Sequence, residues 1–219
     1  MRDFLHPSVF PLCAVLMTLL VTAAPSTAQE DLDQRVRRVL SERGSDWEDM
    51  NIPARDGEFL YDLIVTNGYT RALEIGTSTG HSGIWIAWAL SKTGGKLTTI
   101  EIDESRHAEA VRNFQAAGLA DYIDARLADA HELVRELPGP FDFVFSDADK
   151  EWNKQYFVDV APKMAPGGCF TTHNVSMRGR GWGGGNRDYV DYLMSRPEFE
   201  TSVETTRTSG IAVTFRKRD

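Results

Sequence analysis

The chain has 219 residues, of which 42% are hydrophobic and 26% are charged, and these values are typical of a soluble globular domain. A chain of this length buries a sizeable core without disulfides, and its two cysteines therefore indicate no disulfide framework. The net charge of -8 argues against a nucleic-acid partner, because binding to phosphates requires a basic face.

The first 28 residues have the features of a signal peptide. Arg2 supplies a positive charge, and the segment 9–21 is almost wholly apolar but short for a bilayer span. Ser26-Thr27-Ala28 fits a cleavage site of small residues. The sequence therefore predicts a signal peptide over 1–28, an exported mature domain over 29–219 (periplasmic or secreted), and no membrane span after cleavage. The alternative is an uncleaved N-terminal membrane anchor.

Two helices and then an alternation of strands and helices are predicted along the mature chain. Apolar residues at helical spacing predict the first helix at 32–43, which is a candidate dimer contact, and a second helix begins near Pro53 and ends at Asn67-Gly68. The further predicted helices are 80–90, 104–117, 130–137, 152–164 and 189–194, and the predicted strands are 72–75, 96–102, 122–127, 141–145, 168–172, 198–205 and 211–215. A glycine-rich loop over 179–185 precedes the last helix.

This alternation predicts an α/β fold. A mostly parallel seven-stranded sheet would carry helices on both faces, and the last two strands would form an antiparallel hairpin. Ligands of such sheets bind at the carboxyl ends of the strands, near the point where the strand order reverses. The residues that follow each strand are therefore the candidates for function.

The first three strand ends together predict a pocket for a nucleoside. Gly76 to Gly80 form a glycine turn with the spacing G-x-x-x-G, which alone fits an ordinary tight turn equally well. Glu101 is placed to bind ribose hydroxyls, or is a solvated strand end. Asp129, in Ala128-Asp129-Ala130, is placed to bind an adenine amino group, or caps a helix. The set has no phosphate-binding loop and therefore fits S-adenosylmethionine, which carries adenosine but no phosphate.

The fourth and fifth strand ends should be neighbours, and they carry a candidate metal site. Asp147, His173 and Asn174 offer a carboxylate, an imidazole and an amide oxygen. The oxygen donors suit Mg²⁺, whereas the imidazole shifts the preference towards Mn²⁺ or Zn²⁺. The alternative is that Asp147 orients the cofactor and His173 is only a polar pocket residue. Lys150 is a candidate base, or a surface charge.

From about Trp47 to its end, the chain resembles the catechol O-methyltransferase and caffeoyl-CoA O-methyltransferase group of class I methyltransferases. The matching motifs are Met50-Asn51-Ile52 with Gly57, the segment from Leu73 to Ser82, Glu101, and Phe143 to Lys150. The resemblance implies a Rossmann-like methyltransferase sandwich. The implied cofactor-binding residues are Met50, Asn51, Ile52, Glu74, Gly76, Ser78, Ser82, Glu101, Asp129, Ala130 and Asp147.

The resemblance implies transfer of a methyl group from S-adenosylmethionine to an oxygen of a small, catechol-like molecule. The predicted catalytic residues are Asp147, Lys150 and His173, and a divalent metal on Asp147, His173 and Asn174 is the favoured version. One departure is important, because the family has Asp-Asn where this chain has His173-Asn174. A metal-independent enzyme with His173 or Lys150 as base is therefore an alternative.

Two further functions are left open by the sequence. An exported protein that binds S-adenosylmethionine without catalysis would explain the His173 change. An oxidoreductase that binds a nicotinamide nucleotide would use a similar sheet, but the missing G-x-G-x-x-G motif argues against it. The expected partners are a small hydroxylated substrate and, as an open possibility, a second copy of the chain.

Overall fold

The computed structural model describes residues 27–42, 44, 47, 50–175, 186–206 and 208–218. The helices are α1 (Thr27–Glu42), α2 (Ala54–Asn67), α3 (His81–Thr93), α4 (Glu104–Ala117), α5 (Ala130–Glu136), α6 (Asn153–Val160) and α7 (Asn186–Met194). The strands are β1 (Arg71–Ile75), β2 (Lys96–Glu101), β3 (Ile123–Leu127), β4 (Phe141–Ser146), β5 (Met164–His173), β6 (Phe199–Glu204) and β7 (Ile211–Arg216).

These strands form one seven-stranded sheet in the order β3-β2-β1-β4-β5-β7-β6. Strands β1 to β5 pair in parallel, and β7 runs antiparallel to both of its neighbours, β5 and β6. The predicted α/β fold with a C-terminal antiparallel hairpin is thus confirmed. The strand order reverses between β1 and β4, which places the expected ligand position at the carboxyl ends of those two strands.

Both faces of the sheet are covered by helices. Alternate residues of a strand point to opposite faces, and Val144 of β4 accordingly packs on the side of α5, α6 and α7. Phe143 and Phe145 pack on the other side, with α2 and α3. Helix α1 buries Val36 against α3 and α4, so this face of the predicted first helix is used within the chain.

Helix ends follow the glycine signals in the sequence. Gly68, Gly94 and Gly118 each follow a helix with left-handed backbone, as C-caps that relieve the last carbonyls. The predicted helix over 152–164 was too long, because α6 ends at Val160 and a short 3-10 turn over Ala161–Lys163 contains Pro162. Met164 instead begins β5 and pairs with Phe141.

Two predictions fall on residues outside this description. The signal peptide over 1–28 lies almost entirely before residue 27, where α1 begins, and it stays a prediction. The glycine-rich loop over 179–185 falls within 176–185, also outside the described residues. Within the part of the chain that the structure describes, no helix has the length and apolar character needed to cross a bilayer.

The central strand β4 should be a main source of stability. Phe143 is fully buried on the face of α2 and α3. Phe143→Ala should lower the free energy of unfolding by about 3–5 kcal/mol, because it removes a large apolar side chain and leaves a cavity. Urea denaturation followed by circular dichroism measures this loss. The matched control Val158→Ala, at a 40% exposed position of α6, should stay within about 0.5 kcal/mol of the unchanged protein.

Candidate active site

The carboxyl ends of β1 and β4 meet at a close backbone contact. Asp147 donates its backbone N–H to the carbonyl of Ile75 at 2.8 Å. Gly76 follows with a φ of 94°, and a Cβ at this position would lie 2.6 Å from the carbonyl oxygen of Asp147. A glycine is therefore required here, and the turn after β1 comes close to the Asp147 loop.

A cavity of about 340 Å³ opens beside this contact, within the size range of small-molecule sites. Its lining includes seven of the residues singled out from the sequence, namely Met50, Gly76, Ser78, Glu101, Asp129, Ala130 and Asp147. Ile102, Arg106, His131, Asp149 and Tyr156 also line it and were not singled out from the sequence. The tertiary structure thus gathers residues from four strand ends, those of β1 to β4, and from the segment before α2.

Glu101 is fixed by backbone groups of two segments. Its Oε2 accepts the Ser78 N–H at 2.7 Å, and its Oε1 accepts the N–H groups of Ile102 and Asp103 at 3.1 and 2.9 Å. A carboxylate has about four acceptor positions, so the two oxygens retain capacity for hydroxyl donors in the cavity. This orientation is consistent with the predicted contact to a ribose.

The structure shows one of the two roles that the sequence left open for Asp129, that of a helix cap. Its side chain accepts the His131 N–H at 2.8 Å and therefore caps α5. It also lines the cavity, so the capping role does not remove it from the candidate site. The His131 ring, which also lines the cavity, stacks on Trp152 with centroids 3.8 Å apart.

The segment of Met50, Asn51 and Ile52 is attached to the glycine turn. Asn51 Nδ2 donates to Thr79 Oγ1 at 2.8 Å, and His81 Nδ1 donates to the Ile52 carbonyl at 2.9 Å. Burial lowers the pKa of His81 to about 4, against the opposing effect of the Ile52 hydrogen bond. His81 is therefore neutral near pH 7 and holds this segment over the turn by a single ring N–H.

Glu74 lies in the interior and is not among the residues that line the cavity. It is fully buried, Thr99 donates to its Oε2 at 2.5 Å, and Ser82 also donates to it. Its other oxygen, Oε1, is buried without a hydrogen-bond partner. Burial, reinforced by the negative charges of Asp147 and Glu101, raises the pKa of Glu74 to about 8.

A chain of charged side chains runs from the β4 end into the protein. Lys150 donates to Asp147 Oδ1, and Asp147 Oδ2 contacts His173 Nδ1 at 2.9 Å. On the opposite edge of the ring, His173 Nε2 contacts Asp56 Oδ2 at 2.8 Å and Ser209 Oγ at 2.9 Å. We refer to Asp56, His173 and Asp147 below as the Asp–His–Asp chain.

The sequence did not single out Asp56 or Ser209. Asp56 lies in the first turn of α2, where an acidic residue is explained by the helix dipole alone. Ser209 lies in the connection between β6 and β7, where a serine is an ordinary turn residue. Asp56 accepts the Ser209 N–H at 3.0 Å and also its hydroxyl, a contact between residues 153 positions apart. No local pattern encodes it.

The charges in the Asp–His–Asp chain stabilise one another. Burial opposes ionisation of all three side chains, but their mutual hydrogen bonds outweigh it. The bonds to Asp147 and Asp56 raise the pKa of His173 to about 9, and the pKa values of Asp56 and Asp147 are lowered. Near pH 7 the Asp–His–Asp chain therefore consists of an imidazolium between two carboxylates.

This arrangement does not fit the metal site that the sequence favoured. Both ring nitrogens of His173 have carboxylate partners, and Asp147 is engaged by Lys150 and His173. Asp56 and Asp147 lie on opposite edges of the ring and do not converge on one point. Asn174 follows His173 with left-handed backbone at a φ of 58°. Among the described residues, no group of three or more His, Cys, Asp or Glu side chains is arranged for a metal ion.

Comparison with known proteins identifies the family. A family model described as O-methyltransferase matches residues 24–184, which is more than half of the chain. The chain belongs to the O-methyltransferase family. Relatives include a catechol O-methyltransferase of Niastella koreensis, 36% identical over 60% of this chain and 61% of that protein. A catechol O-methyltransferase of Mycobacterium tuberculosis is 38% identical over 59% of each. The match thus spans about 60% of the length of these relatives.

Solved structures of O-methyltransferases share the fold. The O-methyltransferase of Bacillus cereus, in complex with SAH (S-adenosylhomocysteine), has a TM-score of 0.68 and 25% identity, covering 90% of this chain and 94% of that one. TomG of Streptomyces achromogenes, in complex with SAM (S-adenosylmethionine), has a TM-score of 0.68 and 27% identity, covering 90% and 92%. These two members of the family hold the methyl donor or its demethylated product.

Glu74 gives a test of the interior electrostatics. Its pKa of about 8 in the folded protein exceeds the usual 4.5, so folding binds a proton in the range between these values. The stability of the folded protein should therefore decrease as the pH rises from about 5 to about 8 and change no further on this account above that. Glu74→Gln removes this dependence.

The measurement is the free energy of unfolding of both proteins by urea at several pH values. The free energy of unfolding of Glu74→Gln minus that of the unchanged protein should increase from pH 5 to pH 8. Glu136→Gln, at an exposed position of α5, is the matched control. A difference that stays constant over this range would contradict a buried carboxyl group with a raised pKa.

Proposed function

We propose that this protein transfers a methyl group from S-adenosylmethionine to an oxygen of a small hydroxylated molecule. The observation that carries the proposal is the cavity at the β1/β4 switch point, where Glu101, Asp129 and the glycine turn converge. Membership in the O-methyltransferase family supports the reaction class. The catechol O-methyltransferase relatives support a phenolic acceptor with adjacent hydroxyls.

The adenosyl group of the donor fits the cavity from Glu101 to Asp129. Glu101 would accept the ribose hydroxyls, and Asp129 would accept the adenine amino group. Gly76 allows the donor to approach the backbone because it carries no Cβ. The acidic residues near this position, Asp147 among them, would also favour a positively charged sulfonium. Each of these contacts uses a residue that lines the cavity.

The acceptor oxygen must be aligned with the sulfonium methyl and must lose its proton. Alignment of two bound reactants alone removes roughly 7–11 kcal/mol of a barrier. Of the two candidate bases, His173 has both ring nitrogens on carboxylates and offers no lone pair. Lys150 lies at the partly exposed end of the same network, and in its neutral amine form it fits better as the group that accepts the hydroxyl proton of the acceptor.

The cofactor contact is tested at Glu101. Glu101→Ala should weaken S-adenosylhomocysteine binding by roughly 10- to 100-fold, since hydrogen bonds to a charged group contribute about 1.5–3 kcal/mol. Isothermal titration calorimetry measures the affinity. Glu104→Ala, at an exposed position three residues further on, is the control and should bind normally. Equal affinities of the two variants would remove Glu101 from the site.

The chemical step is tested at Lys150. Lys150→Ala and Lys150→Arg should each lower kcat by about 10²–10⁴-fold, because arginine retains the charge and its contact with Asp147 but does not act as a base. Transfer of a radiolabelled methyl group to catechol measures the rate, and calorimetry with S-adenosylhomocysteine confirms that both variants keep the donor site. Near-normal turnover of Lys150→Arg would show that Lys150 acts only through its charge.

The overall proposal has its own decisive measurement. The unchanged protein should bind S-adenosylhomocysteine and methylate at least one of a panel of catechols, caffeoyl esters and other vicinal diols. Absence of detectable binding would overturn the proposal. Tight binding without transfer to any acceptor of the panel would favour a binding protein that has retained the fold of the family.

A further inference from the structure

His173 occupies the position of a metal-ligand carboxylate in the family that the chain resembles. It ends β5, next to the end of β4, because Ser146 and Thr172 pair in the sheet. The His173 side chain is only 5% exposed, and the Asp56 side chain is not exposed at all. An imidazole with a carboxylate at each ring nitrogen thus lies where the resemblance implies an anionic ligand.

The hydrogen bonds around His173 leave no nitrogen for a metal ion. Ionised carboxylates only accept hydrogen bonds, so a ring with a carboxylate at each nitrogen donates from both. Metal ligation requires a nitrogen lone pair, and it would require at least one of these bonds to break. Breaking either bond would take a hydrogen-bond donor away from a largely buried carboxylate, which is unfavourable.

Residues outside the Asp–His–Asp chain also hold it in place. Ser209 donates both its N–H and its hydroxyl to Asp56, which fixes this carboxylate on the far side of the ring. Lys150 fixes the free oxygen of Asp147 at the near side. The ends of β4 and β5, the start of α2 and the connection before β7 are thereby linked through one imidazole ring.

We propose that the Asp–His–Asp chain takes the place of the divalent metal that the resemblance implies, and that this protein transfers methyl groups without any metal ion at His173. The proposal rests on the function proposed above and assigns two new positioning residues, Asp56 and His173. They fix Asp147, which lines the cavity and accepts a hydrogen bond from Lys150. No substrate contact is assigned to Asp56 or His173.

The decisive experiment follows the His173 ring by nuclear magnetic resonance in the full protein with S-adenosylhomocysteine. The chain has five histidines, and a His173→Asn variant assigns the His173 signals by their loss. If that variant does not fold, Asp56→Asn assigns them by their displacement. In the unchanged protein, both ring nitrogens should carry protons near pH 7, and addition of Mn²⁺ should leave the His173 signals unbroadened.

A matched pair of variants tests whether His173 is what excludes the metal. His173→Asp should gain stoichiometric Mn²⁺ binding in calorimetry, whereas the unchanged protein should show none. If the single variant does not fold, the double variant His173→Asp with Asp56→Asn relieves the repulsion between adjacent carboxylates and serves the same purpose. Equal, negligible binding by the variant and the unchanged protein would contradict the assigned role of His173.

Activity after exhaustive treatment with EDTA completes the test. Methyl transfer by the unchanged protein should be unaffected, and Mg²⁺, Mn²⁺ or Zn²⁺ should not raise it. Loss of activity that a metal restores, or stoichiometric broadening of His173 by Mn²⁺, would overturn the inference and leave the proposed methyl transfer intact. Failure to bind S-adenosylhomocysteine would instead overturn the proposed function, so the two failures are distinguishable.

Discussion

The parallel pairing of β1 with β4 is the constraint on which the candidate site depends. Because the strand order reverses there, the residues after these two strands have no covering connection and meet at one edge of the sheet. The contact between Gly76 and Asp147 brings the glycine turn and the charged network together. A side chain at position 76 would collide with the Asp147 backbone and separate them.

The site separates two kinds of electrostatic environment. On the cavity side, the carboxylates of Glu101 and Asp129 are held by backbone N–H groups, which fix their orientation and leave acceptor capacity. On the interior side, the side chains of the Asp–His–Asp chain are joined by short hydrogen bonds at both ring nitrogens of His173. Glu74 lies between these regions with a raised pKa and an unpartnered oxygen. A bound sulfonium would add a positive charge to a site whose acidic groups are only partly neutralised.

Much of the architecture followed from local patterns. The alternation of apolar strands with helices predicted the sheet, and glycines such as Gly68 and Gly118 marked helix ends, because these signals act over a few residues. The sequence prediction placed the end of α6 too late in the chain, because Pro162 lies in a 3-10 turn that follows the helix. The candidate residues Glu101, Asp129 and Asp147 were found from their positions after strands, which the fold class makes informative.

The sequence alone determined the fold class, the family resemblance and the residues that follow each strand, since these depend on short-range periodicity and on motifs of a few residues. The tertiary structure decided which partners His173 has. Asp56 lies 117 positions before His173, and Ser209 lies 36 positions after it. Their convergence depends on how α2 and the last hairpin pack against the sheet. Hydrogen bonds between such distant residues leave no periodic trace in a single sequence, and only the packed chain shows that His173 is occupied at both nitrogens.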